Sequence, residues 1–143
     1  MRISAKVDSA LRALVELSAL ELSAGGAVTR DQVASAQDIP IAFVGNILLD
    51  LKRDSIVRSV RGQQGGLRLA GAADQVTVAD VIRTLEGPLA RVRGLRPEQL
   101  EYAGAASSLP TVWVALHVRV REVLEGVTIA DLVAGGLAPE IQR

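Results

Sequence analysis

The chain has 143 residues, with 16 Lys or Arg against 16 Asp or Glu, and 49% of its residues are hydrophobic. That is one ordinary domain's worth of chain with enough apolar content for a packed core, which excludes a multi-domain machine and a disordered protein. Zero cysteines exclude disulfides, zinc fingers and thiolate-held iron–sulfur clusters, and the single histidine, His117, is too few for an ordinary His-based metal site, so no metal and no cofactor is expected. Aromatic side chains occur only at Phe43, Tyr102 and Trp113, leaving Leu, Val, Ile and Ala to fill the interior. No apolar run reaches the roughly 18 residues that a membrane span needs, and MRISAKVDS lacks an apolar signal-peptide core; a cytosolic protein without a membrane partner is expected.

From Asp8 to Ala24 apolar residues recur without a breaker and predict a helix, which Gly25 and Gly26 end. Thr29 and Gln32 form a capping-box pattern opening a short helix through Ala36. Gln37-Asp38-Ile39-Pro40 interrupts it, and a further helix is predicted from Pro40 to Asp54, burying Val44, Ile47, Leu48 and Leu51. The period then changes. Ile56 to Val60 is rich in β-branched residues, Arg61-Gly62-Gln63-Gln64-Gly65-Gly66 is a turn-rich tip, and Leu67-Arg68-Leu69 alternates, which together predict a β-hairpin. Thr77 and Asp80 cap a helix running to Glu86, Gly87-Pro88 ends it, and residues 88–108 show no clear period beyond a short helix from Pro97 to Tyr102. The last long helix is predicted after Pro110. Leu109, Trp113, Leu116, Val120, Val123 and Val127 follow the 4, 3, 4, 3, 4 spacing of a coiled-coil seam, and the cheapest cover for so much apolar surface is the same helix of a second copy. A homodimer is therefore expected, against the alternative that this helix lies within its own subunit's core. Gly126 interrupts the helix, and Thr128 with Asp131 caps a terminal turn or two.

The fold class expected is mainly α with a small β-hairpin: a winged helix-turn-helix domain plus a long C-terminal dimerisation helix. In that geometry the second helix enters the major groove of duplex DNA and the hairpin lies along the adjacent minor groove or backbone. Candidate DNA-binding residues follow. Asn46 can pair bidentately with adenine, Ala42 and Phe43 can touch a thymine methyl, and Lys52, Arg53 and Arg58 suit phosphates. At the tip, Arg61 can enter a narrow minor groove, Gly62 allows close backbone approach, and Gln63 and Gln64 offer donors and acceptors. Each feature has a bland counterpart: Phe43 as a core residue, the tip as a solvated turn. Charge is divided in the same sense, since Lys52, Arg53, Arg58, Arg61 and Arg68 face only Asp54 between positions 52 and 68. Enzyme readings fail. No Ser or Thr lies in a nucleophile-elbow context, there is no Cys, and His117 sits between Leu116 and Val118 as a structural residue. Glu98 with Glu101 and Glu122 with Glu125 read as solvated carboxylates beside Arg. A winged-helix module whose partner is a protein rather than DNA remains the alternative.

MRISAKVDSALRAL, SIVRSVRGQQGGLRL, VTVADVI and VTIADLV, in this order and spacing, resemble the Rrf2 family of bacterial transcription regulators over nearly the whole chain. The resemblance implies a homodimer that places a recognition helix and a wing on each half of a pseudo-palindromic double-stranded operator, and a repressor is expected. It carries DNA contacts onto Ala42, Phe43, Asn46, Arg61, Gly62, Gln63 and Gln64, whereas Gly45 stands where a relative has a base-reading Glu. Many members hold an iron–sulfur cluster on three cysteines in the segment matching Pro88 to Ser108, where this chain has none, so a cluster-free member is expected, and Asp8 reads as a helix-start or ion-pair residue. Its organisation is then 1–87 as the DNA-binding domain, 88–108 as a variable loop and 109–143 as the dimerisation helix and cap. An effector, small molecule or protein, would be sought around Arg91, Arg93, Arg96, Tyr102 and Trp113.

Overall fold

In this computed structural model, residues 2–63 and 65–137 are described. Helix α1 spans Ala5–Ala24 and begins three residues before the periodicity suggests, because Ser4 caps it: the Val7 amide donates to Ser4 Oγ at 3.1 Å. Gly25, left-handed at φ 69°, closes it. Helix α2, Arg30–Gln37, opens on the complete Thr29–Gln32 capping box. Asp38 supplies the left-handed turn at φ 52°, and α3 runs over Ile41–Arg53. Strands β1 (Val57–Val60) and β2 (Gly66–Leu69) pair antiparallel, Val57 opposite Leu69 and Arg58 opposite Arg68. Helix α4 spans Val78–Glu86, α5 Leu109–Glu125 and α6 Ile129–Val133, with short 3-10 turns at Ala73–Gln75, Pro97–Gln99 and Gly104–Ser108. The expected class, mainly helical with a two-stranded wing, is what the chain forms.

One core joins both ends of this order. Leu14, Leu17, Val33, Val44, Ile47 and Leu51 of the first three helices pack with Val57 and Leu69 of the wing, Val81 of α4 and Ile129 of α6. A second, smaller cluster gathers Val7, Val78, Ile82 and Val127. The α4 and α6 starts are stitched together, Val78 N–H donating to Val127 O and Ile129 N–H to Val76 O, each at 2.9 Å.

The seam expected along α5 divides. Val120 and Val127 are buried inside their own subunit and Trp113 is half-buried, while Leu109, Leu116 and Val123 stay exposed. The uncovered line keeps Leu109, Leu116 and Val123 of the expected seam and adds Val112 beside them, while Val118 is exposed elsewhere on the helix. The physical reason is that α4 takes one flank of the helix: Arg83 reaches across to Glu125, and Val127 sinks beside Val78 and Ile82. Helix α5 starts at Leu109 rather than after Pro110, since proline is tolerated in a first turn whose amides need no helical partner. In the aperiodic stretch, Arg93 (φ 53°) and Gly94 (φ 78°) form a two-residue turn that closes Val92 on Leu95 with two hydrogen bonds, and the short helix expected over 97–102 is a single turn.

Candidate nucleic-acid interface

Helix α3 buries Val44, Ile47, Leu48 and Leu51, so the opposite side must face solvent. Ala42, Asn46, Lys52 and Arg53 are on that side and exposed. Phe43 is half-buried and packs against the main core, where it seats the helix. Leu49 was not singled out from the sequence, yet it is 63% exposed on the same face. Its signal was available: it falls outside the buried set and lies three residues after Asn46.

The wing is tied to this helix and to α1. Lys52 Nζ donates to Ser59 Oγ at 2.8 Å, linking the end of α3 to β1. On the outer face Arg58 stands opposite Arg68, an arrangement of like charges that is unfavourable in a sheet left to itself. Arg68 is drawn to Glu21 and to the Gly25 carbonyl, whereas Arg58 makes no ion pair among the described residues. Val28 adds a short bridge to β2, exchanging hydrogen bonds with Leu67 at 2.9 and 2.7 Å, and a Cβ at Gly66 would stand 2.6 Å from the Val28 carbonyl oxygen. The second of the tip's paired glycines is thus required by this close approach. Gly62, at φ 112°, begins a turn closed by Gly65 N–H to Gly62 O at 3.0 Å, and Arg61, Gly62 and Gln63 project into solvent around it. Gln64 lies outside the described residues.

Lys6 and Arg53 converge on Asp50, with Lys6 Nζ at 2.6 Å and Arg53 Nη2 at 2.9 Å. Their hydrogen bonds and charges, the Lys6 bond foremost, hold the Asp50 carboxyl below its ordinary value. Arg53 is therefore partly neutralised, whereas Lys52, Arg58 and Arg61 make no ion pair among the described residues and carry the patch's unpaired charge. A cleft of about 400 Å³ between the start of α2, α3 and the wing is lined by Arg30, Leu49, Lys52 and Ser59. A helix with small and polar exposed side chains, flanked by a cationic hairpin, can enter a major groove while the hairpin meets phosphates.

Elsewhere Glu98, Glu101 and Glu122 are exposed as expected, and Glu98 and Glu125 make ion pairs at the surface. His117 Nδ1 is 2.8 Å from Glu98 Oε1, and Glu125 pairs with both Arg83 and Arg121. Asp8, in the first turn of α1, is 3.9 Å from Arg12. The suggested effector region splits in two. Arg91 and Trp113 line one cleft with Arg2 and Leu116, and Arg96 lines another with Arg83, His117 and Arg121. No helix among the described residues is long and apolar enough to cross a membrane.

These features define a winged helix-turn-helix DNA-binding protein of the transcriptional-regulator class. A family model described as Rrf2, iron-dependent transcriptional regulator, matches residues 3–135, and the chain belongs to the Rrf2 family. It is 45% identical over 140 residues, 98% of this chain and 85% of the relative, to a Mycobacterium tuberculosis protein named as an HTH-type transcriptional regulator. It is similar to the HTH-type transcriptional regulator CymR of Bacillus subtilis, at 28% identity over 92% of this chain and 89% of the relative. Among solved structures, that of B. subtilis CymR, described as the global cysteine regulator, superposes with TM-score 0.80 at 27% identity, covering 96% of this chain and 99% of the other. T. potens IscR superposes with TM-score 0.74 at 25% identity, covering 100% and 97%. The family description invokes iron, but the donor chemistry here does not fit a thiolate-held cluster: the chain has no cysteine, and no group of three His, Asp or Glu able to hold a metal occurs among the described residues.

Proposed function

We propose that the chain acts in the cytoplasm as a homodimeric repressor that holds no iron–sulfur cluster and reads a pseudo-palindromic operator through α3 and the wing. The observation that carries the pairing is the apolar line left uncovered on α5. Leu109, Val112, Leu116 and Val123, with Arg119 completing the 3, 4, 3, 4 spacing, present a coiled-coil face; Val112 is 54% and Leu116 47% exposed. A face of that periodicity is self-complementary, so a second copy related by a two-fold axis can cover it. Two reading heads then bind half-sites about one helical turn apart, and a dimer seated on a promoter excludes polymerase from it.

Purified protein run through light scattering is expected at twice the 15.0 kDa chain mass, and Leu116→Asp is expected to shift it toward the single-chain mass. Non-specific duplex binding is expected around 10⁻⁴ to 10⁻⁶ M and should fall steeply with salt. Selection from random duplexes is expected to return a two-fold symmetric site, which placed in a promoter lowers transcription in vitro. A single-chain mass at micromolar concentration, or no duplex binding at low salt, overturns this reading.

A further inference from the structure

We infer that Arg30, at the start of α2, is a base-reading and hence specificity-determining residue, its guanidinium laid across Gly45 to read a guanine from a position on α3 that carries no side chain of its own. The inference rests on the DNA-binding reading above. The contact is specific: a Cβ at position 45 would stand 3.3 Å from Arg30 Nη1 and 3.7 Å from Arg30 Cδ, so the arginine lies on the bare backbone of the recognition helix.

Two locally unfavourable choices meet there. Arg30 is the first residue of α2, where the amide ends of the helix disfavour a cation. It does not serve the cap, which Thr29 and Gln32 complete between themselves. Among the described residues its side chain has no ion pair or hydrogen bond, although the acid Asp31 is adjacent in sequence. Gly45, in turn, sits in the interior of a 13-residue helix where glycine is the poorest former after proline. Neither residue helps its own helix, yet each fits the other. Such paired departures from local preference mark places where function rather than stability chooses the residue.

The location suits base reading. Arg30 and Gly45 border the same cleft as Leu49, Lys52 and Ser59, and exposed Asn46 is next in sequence to Gly45. A guanidinium held over the middle of the helix that enters the major groove presents its fork to base edges, and the O6/N7 edge of guanine is its best-matched target. Lys52, by contrast, is tethered to Ser59 at the end of α3.

The test is parallel selection from a randomised 30-bp duplex pool with wild type, Arg30→Ala and Gly45→Ala, each checked for folding by circular dichroism. Wild type is expected to require guanine at one symmetric position per half-site, with a preference of roughly 5- to 150-fold. Arg30→Ala is expected to flatten that position to near onefold and leave the other positions unchanged, and Gly45→Ala, whose methyl would stand 3.3 Å from Arg30 Nη1 and push the guanidinium aside slightly, to weaken the same position. If Arg30→Ala instead loses affinity equally for all sequences with a shallower salt slope, Arg30 is a phosphate anchor and the inference falls while the operator reading stands. An unchanged preference in both variants overturns it likewise. A wild type that selects no sequence overturns the operator reading and this inference together.

Discussion

Asp50 shows how one carboxylate both braces the recognition helix and sets what its neighbours are free to do. It receives Lys6 from α1 and Arg53 from its own helix, and these donors lower its pKa below the ordinary 3.8. A native pKa below the unfolded one means that the unfolded chain binds the proton more readily in acid. The stabilisation is therefore full well above pH 3.8, begins to be lost as the pH drops through that value, and is gone below the lowered native pKa. Glu98 and Glu125 are shifted in the same direction, Glu98 first by a backbone hydrogen bond and then by His117, Glu125 first by Arg83 and then by Arg121. Melting temperature measured from about pH 6 down to about pH 3 is expected to fall less steeply for Asp50→Asn than for wild type. Parallel curves would show that Asp50 contributes nothing to the acid limb.

Among the elements, the wing depends most on backbone proximity. Gly66→Ala would drive a methyl into the Val28 carbonyl, so the bridge between Val28 and Leu67 must open or β2 must shift. A loss of about 1 to 3 kcal/mol in urea denaturation is expected, with accelerated amide exchange at Leu67. An unchanged midpoint would mean that the hairpin moves aside freely. The need for glycine at the tip was legible in the sequence, but Val28 as the reason was not, because that contact joins segments far apart. The same divide runs through the other elements. The capping boxes at Thr29, Thr77 and Thr128 and the Asp38 turn rest on interactions three residues apart or closer, and the residues spell them out. On α5 the sequence did not tell that Val120 and Val127 turn into their own subunit while Leu109, Leu116 and Val123 stay out, because two neighbouring lines of apolar residues compete and only the packing of α4 decides which turns inward. The contact of Arg30 with Gly45 was missed for a related cause, since it depends on how α2 lies against α3, whereas Leu49 was readable from the face of α3 it occupies. The turn at Arg93 escaped because arginine is an unusual residue in the left-handed region.

For the molecule as a whole, the decisive feature is that α6 returns to the first core. Ile129 has no exposed surface and belongs to the same core as residues of α1, α2, α3 and the wing, with α6 resting chiefly on α1 and the turn Ala73–Gln75. Ile129→Ala is expected to cost about 2 to 5 kcal/mol. Unfolding followed by Trp113 fluorescence, which reports on α5, and by far-ultraviolet circular dichroism should give coincident transitions. Separate midpoints would show that the reading head melts independently of the long helix.

That shared core also has a consequence for how the protein is made. The residues that line it from α1 leave the ribosome first, but the side chain that seals it, Ile129, is translated only after all of α5. Contacts so distant along the chain close late. Nascent chains therefore finish the head only once the helix bearing the uncovered apolar line has been synthesised, and a completed head never emerges without the surface proposed to find its twin.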